Sequence, residues 1–318
     1  MNTSPATFRN PLMPDGADPW MVWHNGFYYL TATSGTQIKM RKAASITQLG
    51  QAPDTTIWED CTPTRCSQIW APEFYLLDGP NGRRWYLYYT ASDGTDIKHR
   101  LHILEGDSDD PMGPYQYKAQ FLTDPADEYY GIDAGVLQTG DGKLYMLWAG
   151  HPGHVLFISA MENPWTLCGE RVHIPASGFG CDEVREGPVC LRRNNKVFLV
   201  YSACDTGKPD YKLGMLIAYE DADLLDPKSW HQHPEPVFTR CDEHGVYGPG
   251  HNGFFHSPDG QESWIIYHAK TESRYTYQGR NPRAQKFTWN EDGTPNFGVP
   301  LSLDTDIEVP GGDAAETK

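Results

Sequence analysis

Four side chains carry the chemistry this sequence can be expected to perform. They are Asp18 in Gly-Ala-Asp-Pro-Trp, Asp133 in Gly-Ile-Asp-Ala-Gly, Glu186 in Arg-Glu-Gly-Pro, and His251 in Gly-Pro-Gly-His-Asn-Gly-Phe. Singly, each has a plain structural reading. An Asp before Pro is a common turn residue, Asp133 could hold backbone amides, and Glu186 could pair with Arg185. Brought into one cavity, they mean something else. Like charges crowded together raise at least one carboxyl pKa, so one acid stays protonated to serve a departing oxygen. Another, ionised, activates water or attacks a carbon. That division of labour is what cleavage of a glycosidic bond requires, and one carboxyl cannot do both at once.

The elements that would bring these residues together are legible as a repeat. Five segments share a pattern: a small or polar opening residue, apolar residues three and four positions on, a Gly/Asn/Asp turn, then a β-branched and aromatic strand ending in a small residue. They begin at Asp18, Ala71, Asp133, Glu186 and His251. The turn signals at Asn25-Gly26, Asn81-Gly82, Asp141-Gly142, Asn194-Asn195 and Asp259-Gly260 mark each as a β-hairpin. Helical periodicity is nearly absent; Tyr219 to Trp230 is the one stretch expected to hold a helical turn. Hairpin repeats of this length predict blades around an axis, hence an all-β, five-bladed β-propeller forming a single domain over residues 1–318. The opening residues of the inner strands would then converge at an axial pocket, the active site. A β-sandwich has no reason to repeat one hairpin five times.

Composition excludes several classes of partner. A formal net charge of −16 repels nucleic-acid phosphates and anionic membranes, and no apolar stretch is long enough to span a bilayer. Residues 1–14 hold no signal-peptide core, so the expected location is the cytoplasm, or outside the cell after processing. The seven cysteines show no CxxC pair and no zinc spacing. They are expected to be reduced, with Cys61 and Cys66 the pair close enough in sequence to join in an exported protein.

The ordered motifs Gly-Ala-Asp-Pro-Trp, Trp-Ala-Pro-Glu, Gly-Ile-Asp-Ala-Gly, Arg-Glu-Gly-Pro and Gly-Pro-Gly-His-Asn-Gly-Phe resemble glycoside hydrolase family 43, in particular its α-L-arabinofuranosidase branch. The resemblance runs from about residue 10 to residue 310. It implies that Asp18 is the general base, that Asp133 orients the acid and tunes its pKa, and that Glu186 is the general acid, in an inverting mechanism. It implies a substrate role for Arg283, with Arg280 left on the surface. No cofactor is required; His251 is implied near the axis, where the family associates a histidine with calcium or a water cluster, and no calcium-loop motif accompanies it.

Sugars bind aromatic faces, so Trp20 and Trp70, flanking the opening residues, are expected to line the subsite. Trp148 is expected in blade packing, and Glu73 in a structural role. The reading is an exo-acting enzyme on terminal α-L-arabinofuranose of arabinan or arabinoxylan. The alternatives are a β-D-xylosidase, an endo-arabinanase, or a non-catalytic carbohydrate-binding propeller. Three aligned acids argue against the last, since a binding module has no use for mutually repelling carboxylates.

Overall fold

The computed structural model describes residues 5–317. Five four-stranded antiparallel sheets follow one another along the chain, each built from consecutive strands, as a five-bladed propeller requires. Their innermost strands are Trp20–His24, Ser67–Gly79, Gly131–Gln138, Arg185–Arg193 and Tyr247–His256. The first strands of each blade are buried in near-continuous runs, on both faces, as neighbouring blades pack against each other in a series of apolar clusters. The expected helical turn near Tyr219–Trp230 is a single 3₁₀ turn, Pro227–Ser229, opened by the Asp226 side chain, which accepts the Lys228 amide. Among the described residues no helix is long and apolar enough to cross a membrane.

Each inner strand carries the same irregularity at its pocket end. In blade three Ile132 pairs with Ala149, but the ladder resumes at Gly135 with Leu147, one residue having been inserted. Blades two, four and five repeat this between Trp70 and Glu73, Glu186 and Val189, and Gly250 and Gly253. In blade one the same step falls between Ala17, whose carbonyl accepts the Thr33 amide, and Trp20, paired with Thr31. These are β-bulges, which re-aim side chains beside functional sites. The residue after each step has left-handed φ: Asp18 54°, Ala71 44°, Asp133 58°, Gly187 55° and His251 47°.

This register corrects the sequence reading at one position. Gly187, not Glu186, is the counterpart of Asp18, Asp133 and His251, and Glu186 occupies the preceding place, held by Trp70 and Ile132 in other blades. A side chain at 187 would be strained by its φ and would bring its Cβ to 3.3 Å from the His251 ring.

The left-handed residues are held by their amides. Second strands supply the acceptors from the preceding blade: His268 Nδ1 for Asp18 (3.0 Å), Thr33 Oγ1 for Ala71 (2.8 Å), Thr90 Oγ1 for Asp133 (3.1 Å) and Ser202 Oγ for His251 (2.8 Å). Blade three has Ala149 at this place, and the Gly187 amide donates instead to Asp133 Oδ2 at 3.1 Å.

The ring is closed from outside by the two ends of the described chain. Thr7–Phe8 pairs with Ile307–Glu308. Asn10 docks on blade five like a strand residue, its side-chain amide donating to Ala284 O (3.0 Å) and its Oδ1 accepting the Ala284 amide (2.9 Å). Phe8, Leu12, Ile307 and Val309 pack with Met21 and Tyr28 of blade one and Phe255 and Trp264 of blade five.

Candidate active site

The bulged ends of the inner strands surround a cavity of about 750 Å³ lined by Asp18, Asp133, Glu186 and His251. Asp18, Asp133 and His251 enter it from the left-handed places, and Trp70, Ile132 and Glu186 from the places just before. A second cavity of about 380 Å³ takes a residue from each of the five inner strands, among them Trp20, Tyr75, Val136, Val189 and Phe254, and is the other end of the axis. On the wall of this second cavity the Trp20 and Tyr75 rings lie 4.9 Å apart, and Glu73 accepts the Tyr75 hydroxyl.

Asp18 has a hydroxyl donor on one oxygen and three nitrogens around the other. Thr33 Oγ1 donates to Oδ2 at 2.6 Å, while His251 Nδ1, His268 Nδ1 and an Arg280 terminal nitrogen stand 3.3, 3.4 and 3.5 Å from Oδ1. Burial alone would push its pKa up; His251, His268 and Arg280 outweigh burial and hold Asp18 well below the usual carboxylate range. His268 is pushed down to about 4 by burial first, so near neutrality it is an uncharged acceptor for the Asp18 amide. Its Nε2 is then free to donate to Thr206 Oγ1 at 3.2 Å.

Asp133 and Glu186 form a coupled pair whose protons belong to both. With His251 they bring ligand atoms within 4.8 Å of one another. Burial, and then the Glu186 and Asp18 charges, push Asp133 up to about 7 against the pull of His251. Glu186 has both oxygens engaged: Tyr211 Oη donates to Oε1 at 2.8 Å, and His154 Nε2 lies 3.1 Å from Oε2. Burial raises its pKa, but His154, His251 and Tyr211 together bring it below the usual value. Burial and mutual repulsion thus favour a proton shared by the pair. His251, disfavoured as a cation by burial, is nonetheless raised by Asp18, Asp133, Glu186 and Glu73 around it. Glu73 itself is pushed up to about 8, chiefly by burial.

Other sequence expectations fare differently. Trp70 lines the cavity, its ring 4.1 Å from that of His99. Trp20 does not: it is buried between blades with its indole donating to Phe74 O at 3.0 Å. Trp148 packs inside its blade against Phe157. The two arginines exchange places. Arg280 is on the cavity wall, whereas Arg283, paired across the blade with Tyr267, is fully buried and donates from Nε to Asn281 at 2.8 Å, off that wall. The thiol expectation is also corrected. Cys181 and Cys204 form a disulfide, while Cys61 and Cys66 are free. The bridge ties the loop before the inner strand of blade four to the turn after its second strand.

His154, Tyr211 and Thr33 had no counterpart in the motif reading, and Arg280 was left on the surface. His154 sits in a turn that the repeat does not predict, and Tyr211 just before a third strand. Arg280 had a usable signal: it precedes strand Asn281–Trp289, whereas Arg283 lies inside it.

Calcium does not fit the residues present. It takes six to eight oxygen ligands, and the axial cluster offers one imidazole and two carboxylates already engaged in hydrogen bonds. The chemistry available is acid–base. An ionised carboxylate, Asp18, shares one cavity with a carboxyl pair that burial inclines to hold a proton.

Fold and site thus define a five-bladed propeller with an axial pocket for acid–base hydrolysis. The chain belongs to the glycosyl hydrolases family 43, whose model matches residues 8–295. It is similar to the extracellular exo-α-(1→5)-L-arabinofuranosidase of Streptomyces avermitilis, with 36% identity over 94% of this chain and 66% of the relative. It is 33% identical to α-L-arabinofuranosidase 43 of Humicola insolens, over 94% of this chain and 65% of that one. It therefore spans about two thirds of the length of these relatives. The crystal structure of an α-L-arabinofuranosidase from Lactobacillus brevis superposes with a TM-score of 0.85 at 35% identity, covering 94% of this chain and 98% of that one.

Proposed function

We propose that the chain is an exo-acting α-L-arabinofuranosidase that removes terminal arabinofuranose from arabinan or arabinoxylan oligosaccharides with inversion. The observation that carries the reading is the convergence of an ionised Asp18 and the Asp133–Glu186 pair on one cavity. In this reading Asp18 takes a proton from water as it attacks the anomeric carbon, and Glu186 gives a proton to the departing oxygen. Asp133, bound to the Gly187 amide beside Glu186, keeps that proton available to the pair. The names of the relatives supply the choice of a terminal sugar and of arabinofuranose. The Cys181–Cys204 disulfide suits an oxidising compartment, as does the extracellular label of the Streptomyces relative. Both favour export over the cytoplasm expected from the sequence.

Aryl α-L-arabinofuranoside, β-D-xyloside and β-D-galactoside, followed by proton NMR of the first-formed sugar, test the proposal. Release of the β anomer from the α-arabinoside, with the other two turned over far more slowly, is expected. Preferential xyloside cleavage would overturn the substrate assignment, and initial release of the α anomer would overturn inversion.

A further inference from the structure

Beyond the acids, the cavity wall changes character toward its mouth. Tyr275 and Tyr277 lie in the connection between the second and third strands of blade five and are 56% and 52% exposed, with Tyr277 on the wall. Exposed tyrosines on a connecting loop are ordinarily free to move, but these two are fixed. Tyr277 Oη donates to Asp205 Oδ2 at 2.9 Å, Tyr275 Oη donates to Tyr277 Oη at 2.6 Å, and their rings meet edge to face with centroids 5.5 Å apart. The Thr276 amide donates to Gly207 O at 2.9 Å, and Arg280 Nε to Tyr277 O at 3.0 Å.

The loop is also held from beneath. Lys270 is fully buried, and its ammonium donates to the carbonyls of Gly207 (2.5 Å), Thr276 (3.1 Å) and Arg274 (3.4 Å). Burying an ammonium is costly unless its donors are satisfied, and here the partners are backbone carbonyls of this loop and of the turn carrying Asp205. The mechanism has no use for Lys270. Its position makes sense as the fixture of the tyrosine pair.

Where the pair stands decides what it would touch. Asp205 and Thr206 follow the second strand of blade four, the strand paired with that of Glu186, while Arg280, bonded to Tyr277 O, stands 3.5 Å from Asp18, so the tyrosines are at the mouth between acid and base. In the exo-acting reading only the terminal sugar enters the pocket, and the departing part of the chain leaves through that mouth. A cavity of about 750 Å³ is in the upper part of the range that suits a drug-sized ligand, more than a single pentose fills. Tyrosine faces suit the C–H faces of sugar rings.

We infer that Tyr275 and Tyr277, fixed by Asp205 and Lys270, form a leaving-group subsite that takes the ring face of the second, neutral sugar of the substrate chain. The inference rests on the arabinofuranosidase reading. The test compares an α-(1→5)-arabinotriose with an aryl α-L-arabinofuranoside in the wild type, Tyr275→Ala, Tyr277→Ala and Lys270→Met. Both tyrosine variants are expected to raise KM for the triose at least tenfold more than KM for the aryl substrate. Lys270→Met is expected to show the same split, with thermal unfolding monitored to verify folding. Equal effects on both substrates, or none on either, would overturn the subsite. So would a split produced by Ile97→Ala, on the blade-two side of the mouth, and not by the tyrosine variants. Wild-type protein that cleaves neither arabinoside would refute the arabinofuranosidase reading itself, an outcome distinct from the loss of the subsite alone.

Discussion

Glu186 is the residue on which most of the proposed chemistry turns, and its two hydrogen bonds set its protonation. Glu186→Ala should lower kcat/KM on arabino-oligosaccharides by roughly 10²–10⁴-fold. It should largely spare aryl arabinosides, whose leaving group needs no proton. Asp18→Ala should disable both, since water then has no base. Rates on the two substrate types decide it, and equal loss from Glu186→Ala would remove Glu186 from the acid role. His154 gives a second prediction. Its imidazole lowers the Glu186 pKa by hydrogen bond and charge, so removing it raises that pKa. Glu186 then keeps its proton to higher pH. His154→Gln should therefore move the alkaline limb of kcat/KM upward in pH, and a limb that stays put or moves down would show that His154 does not act on the acid. His154 was invisible in the sequence because a histidine in a short turn carries no periodic signal. Asp18, Asp133 and His251 were legible because they recur at one place in a repeat.

At the scale of the strand, the repeat is a bulge with a left-handed residue whose amide is held by the preceding blade. The hairpins were readable from their turns, whereas the bulge register was misread by one residue at Glu186. The correct signal lay in the prolines: Asp18-Pro19, Ala71-Pro72 and Gly187-Pro188 align when Gly187 is the counterpart of Asp18. The acceptors from the second strands were not readable, because hydrogen bonds between blades leave no local pattern. They yield a test at Ala149, the place without an acceptor side chain. Ala149→Ser supplies the missing hydroxyl, which should take the Gly187 amide from Asp133 and lower kcat/KM by roughly tenfold, the worth of about one hydrogen bond. It should also shift the pH profile of the pair. Ala149→Cys, similar in size but a poor acceptor, should keep the wild-type profile. Equal behaviour of the two variants would sink the idea.

For the whole molecule, closure depends on contacts between ends distant in sequence. Asn10 supplies two hydrogen bonds that substitute for a strand on blade five. Asn10→Ala leaves a buried donor and acceptor of Ala284 unpaired, a cost of about 2 kcal/mol, and should lower Tm by roughly 4 °C; calorimetry showing no change would mean the contact is dispensable. The hydrogen bonds between blades reach further than stability. Every left-handed bulge residue of the inner strands is held by a neighbouring blade, so the catalytic apparatus is finished only across seams. Parting any of four of the five seams releases an acid, the histidine or the Glu186 turn while all twenty propeller strands can stay paired. Heating should therefore extinguish turnover before far-ultraviolet circular dichroism records loss of sheet, and the Asn10→Ala variant should widen the gap between the two curves. The enzyme's rate is in this sense a gauge of whether the ring is shut.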